Sequence, residues 1–172
     1  MSGIGGHEAP HHGETDVWLT PPHVLTALGP FDLDPCAAVD QPWRTATVQF
    51  TVKDDGLSQR WDGRVWLNPP YGALVARWLA RLAKHGNGIA LVFARTDTAW
   101  FQGIAQRVDA INFLTPRLTF HRPDGTPGAG NSGGPSCLLA FGPENVVAIE
   151  RLPGIIVLQP RSTVAAQPGL FG

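Results

Sequence analysis

The sequence predicts a single α/β domain with a mostly parallel β-sheet and an antiparallel edge hairpin. Strand-like apolar segments alternate with amphipathic helical patterns along most of the chain, and strand-like segments follow one another near its end. A length of 172 residues with 43% hydrophobic side chains suits one core. We place this domain at residues 15–160, between flexible tails at residues 1–14 and 161–172.

The charge composition excludes several protein classes. Thirteen basic and fourteen acidic residues give a net charge of −1, which argues against intrinsic disorder and against a non-specific polycation. The longest apolar run, residues 89–94, is far shorter than the roughly 20 residues that span a bilayer. The first residues lack a secretory pattern, so we expect a cytoplasmic protein with reduced cysteines and no membrane partner.

The six histidines do not have the spacing of metal ligands. Only His7, His11 and His12 lie close together, and we expect them to be solvated because the surrounding tail is rich in glycine. We therefore expect no metal.

The first elements are short. Thr20 is a natural N-cap and Pro21 fits the first position of a helix, so these residues predict a helix start. Gly29 and the proline after it end this helix. Two strands are predicted next, at residues 31–34 and 47–52.

The middle of the chain has the strongest periodicity. A strand at residues 64–67 runs directly into a proline-rich turn at residues 68–71. Four further elements are then predicted: an amphipathic helix with apolar positions at 74, 75, 78, 79 and 82 that ends at Gly86, a buried strand at 89–94, a helix starting near Thr98 and a strand at 110–114.

The last part of the chain is predicted to be antiparallel. Residues 118–120 and 137–141 resemble the two arms of a distorted strand pair, separated by a loop at 121–135 that is rich in glycine and proline. Residues 146–149 and 155–158 are weaker strand candidates.

The turn Asn68-Pro69-Pro70-Tyr71 is the segment of the sequence that indicates a reactive site. It follows a strand at the carboxyl edge of the predicted sheet, where open α/β folds bind ligands. The two prolines fix the backbone and remove two amide donors. The Asn68 side-chain oxygen and the Pro69 carbonyl are thus two rigid acceptors beside the aromatic ring of Tyr71. This set suits a planar substrate with an exocyclic amino group, such as adenine.

In this respect the chain resembles the amino-methyltransferases that use S-adenosyl-L-methionine, and most closely the phage-type DNA N6-adenine methyltransferases of the Dam superfamily. Besides the turn, the resemblance lies in residues 16–22, in residues 32–37 and in residues 54–57 with Trp61, and it covers roughly residues 15–142. It implies a Rossmann-like class I methyltransferase fold and a cytoplasmic enzyme encoded by a phage or prophage, of the kind found in DNA methylation and restriction-modification.

The resemblance also implies roles for individual residues. Asn68, Pro69, Pro70 and Tyr71 would form the catalytic turn. Asp34 and either Asp54 or Asp55 would accept hydrogen bonds from S-adenosyl-L-methionine, although each aspartate also suits a turn or a cap. The complete set of expected cofactor contacts is Trp18, Thr20, Pro21, Asp34, Pro35, Asp54, Asp55 and Asn68.

The expected macromolecular partner is double-stranded DNA, with an adenine flipped out of the duplex. Tyr71, Arg117, His121 and Arg122 are the candidate contacts, and the alternative for the loop at 121–135 is a plain surface excursion. Most basic residues are arginine, which suits contacts with phosphate and guanine.

Other interpretations stay open. The same turn occurs in enzymes that methylate an RNA base or a protein glutamine. Cytosine N4 is a further alternative, although its enzymes more often carry serine in place of the asparagine, and so is a catalytically silent DNA-binding relative. The sequence departs from many methyltransferases after the first strand, since no glycine follows Pro35 until Gly56. Cys36 in this turn is expected to be a small packing residue. The sequence does not indicate an oligomeric state.

Overall fold

The structure is a computed structural model that describes residues 17–159. The predicted tails and the group His7, His11 and His12 lie outside the described residues, as does Asp16. Within residues 17–159, no helix is both long enough and apolar enough to cross a membrane.

The described chain contains four helices and seven strands. The helices are α1 (Pro22–Leu28), α2 (Val75–His85), α3 (Ala99–Ala105) and α4 (Pro143–Ile149). The strands are β1 (Leu33–Asp34), β2 (Val48–Gln49), β3 (Val65–Leu67), β4 (Gly88–Phe93), β5 (Ala110–Leu114), β6 (Ser136–Phe141) and β7 (Gly154–Leu158).

The strands form one sheet in the order β2-β1-β3-β4-β6-β5-β7. The strands β1 to β4 are joined by parallel pairs, and β6 is antiparallel to both of its neighbours, β4 and β5. The strand β7 is antiparallel to β5 at the edge. The predicted α/β fold with parallel strands in the centre of the sheet is therefore confirmed, whereas the antiparallel part is larger than the predicted edge hairpin.

Helices cover both faces of the sheet because successive strand residues point to opposite sides. Val65 and Leu67 of β3 face the cluster that contains α2 and α3, whereas Trp66 between them faces the cluster with α1 and α4. Residues 89–92 of β4 are fully buried on both faces, which explains the unbroken apolar run there.

The start of α1 differs from the prediction. Helix α1 begins at Pro22, and Pro21 rather than Thr20 is its N-cap residue, without a side-chain cap bond. The Thr20 hydroxyl instead accepts a hydrogen bond of 3.3 Å from Asn68 Nδ2. The predicted helix end is confirmed, because Gly29 has φ +88° and its N–H donates to the Leu25 carbonyl.

Two predictions near the end of the chain were wrong. Residues 146–149 belong to helix α4, which starts at Pro143. The prediction failed because so short an apolar run fits the period of a helix as well as that of a strand. Residues 118–120 do not pair with residues 137–141. Strand β6 inserts between β4 and β5 instead, so the antiparallel part reaches the inside of the sheet. The strands predicted at 31–34 and 47–52 are present but shorter, and β7 confirms the strand at 155–158.

Arg64 joins several elements at the end of the sheet opposite the carboxyl ends of β1 and β3. Its guanidinium donates to Asn145 Oδ1 at 2.7 Å, to the Pro30 carbonyl at 2.8 Å and to the Leu28 carbonyl at 3.0 Å. It also lies 4.3 Å from the centre of the Phe31 ring. The end of α1, the start of β3 and helix α4 are thereby tied together.

Arg64→Met should test this junction. The variant keeps an apolar stem over Phe31 but leaves the acceptors at Asn145, Pro30 and Leu28 without their donor, so we expect the free energy of unfolding to fall by about 2–3 kcal/mol. Urea denaturation at a constant m-value measures the change.

Arg60→Met is the matched control. Among the described residues Arg60 pairs only with Asp62, and the two side chains are 86% and 66% exposed. An exposed ion pair contributes less than about 1 kcal/mol. Equal losses of stability in the two variants would contradict the role of Arg64.

Candidate active site

The site is positioned by two adjacent parallel strands. Leu33 of β1 pairs with Val65 of β3, and from β1 the sheet extends to β2 on one side and to β3 on the other. A crevice opens at the carboxyl ends of strands where the order reverses in this way. Asp34 is the last residue of β1, and Asn68 directly follows β3. The two side chains therefore meet at one edge of the sheet.

A cavity of about 530 Å³ lies at this edge. Its walls come from the segment before α1, from the turns after β1 and β3, and from the loop that follows β2. Of the expected cofactor contacts, it is lined by Trp18, Thr20, Asp34, Pro35, Asp55 and Asn68.

Asp34 is a buried carboxylate in the cavity wall. Its side chain is 3% exposed and accepts hydrogen bonds from the Cys36 backbone N–H at 3.0 Å and from the Thr45 hydroxyl. Burial is the largest effect on this group, and it raises the pKa of Asp34 to about 6 in spite of these hydrogen bonds.

Asn68 has a defined side-chain orientation. Its Nδ2 donates to the Trp18 carbonyl at 3.2 Å and to the Thr20 hydroxyl at 3.3 Å. Since the amide nitrogen is directed at these two acceptors, the oxygen Oδ1 is the atom available to accept from a bound molecule. The Asn68 backbone carbonyl accepts from the Cys36 thiol at 3.3 Å. Burial raises the pKa of that thiol well above its usual value, which agrees with a packing role for Cys36.

Tyr71 forms the far side of the turn. Its ring stacks on Phe93 with 4.5 Å between ring centres and an angle of 15° between the planes. The residue remains 43% exposed, although burial raises the pKa of its phenol above the usual range. One face of the ring is therefore covered and the residue still has a large accessible surface.

A second cavity of about 1020 Å³ lies beyond Tyr71. Trp18, Pro70 and Tyr71 line both cavities, so they form a partition between them. The other walls of the second cavity are aromatic rings, two arginines and a glycine-rich strap, which we define as residues 128–134. Its further lining residues include Phe93, Arg95, Trp100, Phe120, Arg122 and residues 128–133.

The two cavities differ in charge. Asp34 and Asp55 line the first, and no lysine or arginine is among the described residues around it. Arg95 and Arg122 line the second, and its described walls contain no aspartate or glutamate. The first cavity thus favours a cation and the second favours an anion.

The structure separates the two neighbouring aspartates. Asp55 adopts a left-handed backbone conformation with φ +48° and lines the first cavity. The exposed Asp54 instead accepts from the Thr51 N–H at 2.8 Å and the Thr51 hydroxyl at 2.9 Å, and these bonds lower its pKa. Asp54 is therefore a turn residue outside the cavity wall.

Gly56 explains how Asp55 reaches the cavity. A Cβ atom on Gly56 would lie 1.8 Å from the Pro35 carbonyl oxygen, so only glycine allows this approach. Trp61 Nε1 donates to the Gly56 carbonyl at 2.8 Å and fixes the same loop. The turn after β1 has no glycine of its own, and Gly56 in the loop that packs against this turn allows the close backbone approach instead.

The remaining candidates have different positions. Pro21 caps α1 and is not part of either cavity wall. Arg117 is exposed and also lies outside both walls. A ring nitrogen of His121 lies 2.8 Å from the Gly125 carbonyl, and the ring contacts Trp43 edge-on, so this side chain braces the loop. Of the three loop candidates, only Arg122 lines the second cavity.

Several cavity residues were missed by the sequence analysis. Phe93 and Arg95 follow the buried part of β4, at the same sheet edge as Asn68, and that position is the signal that would have found them. Trp100 comes from α3 and Phe120 from an irregular segment, so only the three-dimensional structure identifies them as residues that line the cavity. Among residues 17–159, no three His, Cys, Asp or Glu side chains are grouped so as to hold a metal ion.

The raised pKa of Asp34 predicts a pH-dependent stability. Its pKa is 3.8 in an unperturbed state and about 6 in the fold. Between these values the folded protein binds the proton and the unfolded chain does not, so the contribution of Asp34 to stability falls as pH rises and is constant above about pH 6.

Asp34→Asn removes this titration. From pH 4 to pH 7 we expect the wild type to lose on the order of 3 kcal/mol relative to the variant. Urea denaturation at several pH values measures the difference, and stability profiles that stay parallel would contradict the prediction.

Comparison with known proteins gives the family. The model of the family described as DNA N-6-adenine-methyltransferase (Dam) matches residues 9–149. Searches of curated proteins and of solved structures found no significant match. The matched region contains both cavities and the turn between them. The chain belongs to the DNA N-6-adenine-methyltransferase (Dam) family.

Proposed function

We propose that this protein transfers a methyl group from S-adenosyl-L-methionine to the N6 amine of an adenine that is flipped out of double-stranded DNA. The observation that carries the proposal is the pair of oppositely charged cavities that meet at residues 68–71. The first would hold the methyl donor and the second the base, with Asn68 and Tyr71 at the boundary.

The chemistry of the first cavity fits S-adenosyl-L-methionine. This molecule carries positive charge at its sulfonium and amino groups, and its adenine amine and ribose hydroxyls donate hydrogen bonds. The carboxylates of Asp34 and Asp55 are acceptors for such groups, and Trp18 offers an aromatic wall. The position of Asp34 at the end of β1, at the reversal of strand order, supports a Rossmann-like class I methyltransferase fold.

The turn provides what the target amine needs. When bound, S-adenosyl-L-methionine supplies an electrophilic methyl group. The N6 lone pair is delocalised into the adenine ring, so the amine is a weak nucleophile. Asn68 Oδ1 and the Pro69 carbonyl accept its two hydrogens, favour a tetrahedral nitrogen and stabilise the positive charge that develops. The surplus N6 proton passes to water after the transfer.

The second cavity suits a flipped nucleotide. Phe93 covers one face of Tyr71, and the opposite face is the surface on which a base would stack. Arg95 and Arg122 in the walls would attract the flanking phosphates. Flipping costs a few kcal/mol, which stacking and phosphate contacts offset. The family assignment favours adenine in DNA over an RNA base, cytosine N4 or a protein glutamine.

Asn68→Ala should abolish turnover. The variant removes the Oδ1 acceptor, so we expect methyl transfer to fall by at least about 100-fold. The first cavity keeps its other walls, and cofactor affinity should change by only a few-fold. Radiolabelled transfer to adenine-containing DNA, with nucleoside analysis and calorimetry of cofactor binding, measures both quantities.

Asn68→Asp is the comparison variant, because it restores acceptor oxygens to residue 68 although it loses the Nδ2 bonds to Trp18 and Thr20. We expect its transfer rate to lie above that of Asn68→Ala. Near-wild-type activity in the alanine variant would overturn the catalytic role of Asn68.

The paired variants Asp55→Asn and Asp54→Asn test the cofactor cavity. Both variants replace a carboxylate by an amide of the same shape and so remove only a charge. At residue 55 the change causes no backbone strain, because asparagine tolerates the left-handed conformation. We expect Asp55→Asn to weaken S-adenosyl-L-methionine binding by about tenfold or more, as for a lost charge-assisted hydrogen bond. Asp54→Asn should bind within about twofold of the wild type, since its carboxylate faces Thr51. Calorimetry measures both affinities, and a reversed order would contradict the assignment.

A further inference from the structure

Phe93 occupies a special place among the aromatic residues of the second cavity. It is the last residue of β4, and it is only half-buried whereas the four residues before it are fully buried. Its ring stacks on Tyr71, and Phe120 contacts it edge-on at 6.5 Å between ring centres. A Cβ atom on Gly134 would lie 3.6 Å from Phe93 Cδ1, so the glycine-rich strap reaches the same ring.

The backbone of Phe93 is held by regular structure. It is registered opposite Ser136 of β6, and the next residue, Ala94, donates its N–H to the Pro135 carbonyl at 2.8 Å. Tyr71 lies instead in an irregular turn outside the helices and strands. The ring on the strand is therefore the more rigid partner, and it can restrict the ring in the turn.

We propose that Phe93 is a positioning residue that fixes the Tyr71 ring so that only its opposite face receives the target base. This inference rests on the proposed function, because it assigns a purpose to the stack within that base site. With Phe93 in place, the aromatic ring needs no reorientation when the base arrives. Without it, Tyr71 samples other rotamers, and the base loses its alignment with the acceptors at residues 68 and 69.

Phe93→Leu tests the proposal. Leucine keeps a comparable apolar side chain but has no ring to stack. Tyr71 is the only tyrosine in the chain, so incorporation of 3-fluorotyrosine gives a single-site ¹⁹F NMR signal. We expect this resonance to shift and to broaden in the variant, and the pKa of the phenol to move down toward its ordinary value.

The kinetic effect should be specific. We expect kcat for methyl transfer to DNA to fall by about tenfold or more, as for a misaligned substrate. The KM for S-adenosyl-L-methionine should change much less than kcat, because Phe93 does not line the first cavity and Tyr71 is only one of its many lining residues. Phe93→Tyr, which restores an aromatic face, should recover most of the activity in the kinetic assay.

Phe113→Leu is the matched control. Phe113 is a half-buried phenylalanine on β5 of the same sheet and lines neither cavity. We expect an unchanged ¹⁹F signal and kcat in this variant.

An unshifted Tyr71 resonance or an unchanged kcat in Phe93→Leu would overturn the positioning role, as would equal effects in Phe113→Leu. Failure of the proposed function has a different signature. In that case the wild type transfers no methyl group to DNA. Phe93 would then have no role in aligning a base, even if the ¹⁹F signal of Tyr71 shifts in Phe93→Leu.

Discussion

The parallel pairing of β1 with β3 is the constraint on which the site depends. One registered pair, Leu33 with Val65, brings two segments of the chain that are distant in sequence to a common edge. The carboxylate of Asp34 and the amide of Asn68 then face one crevice, and the segment before α1 closes it through hydrogen bonds with Asn68. The loop around Gly56 completes the wall because its backbone contacts the turn after β1.

The partition between the cavities would let one short turn serve two molecules of opposite charge under the proposed function. Acidic side chains on one side would attract a cationic donor, and arginines on the other side would attract a polyanion. A protein with a net charge of −1 can thus present a locally positive cavity. The prolines keep the partition stiff, so that neither molecule has to order it on binding.

Much of this arrangement was predictable from local sequence. Helix α2, strand β4 and the turn at 68–71 follow from periodicity and from proline and glycine chemistry, which act over a few residues. The insertion of β6 between β4 and β5 was not predictable, because it is set by pairing across the whole sheet. Which of Asp54 and Asp55 lines the first cavity likewise depends on one left-handed residue in a loop. Thr20 looked like a helix cap, since its true partner Asn68 is distant in sequence.

The unequal lengths of the strands have a consequence for the local stability of the sheet. Strands β1 and β2 each have two residues, whereas β4 and β6 pair along six residues each. Local opening is easiest where few backbone hydrogen bonds and little buried surface oppose it. We therefore expect β1, whose Asp34 lines the first cavity, and its neighbour β2 to open locally more readily than β4 and β6. Amide hydrogen exchange measures such opening, and we expect the amides of β1 and β2 to exchange faster than those of β4 and β6.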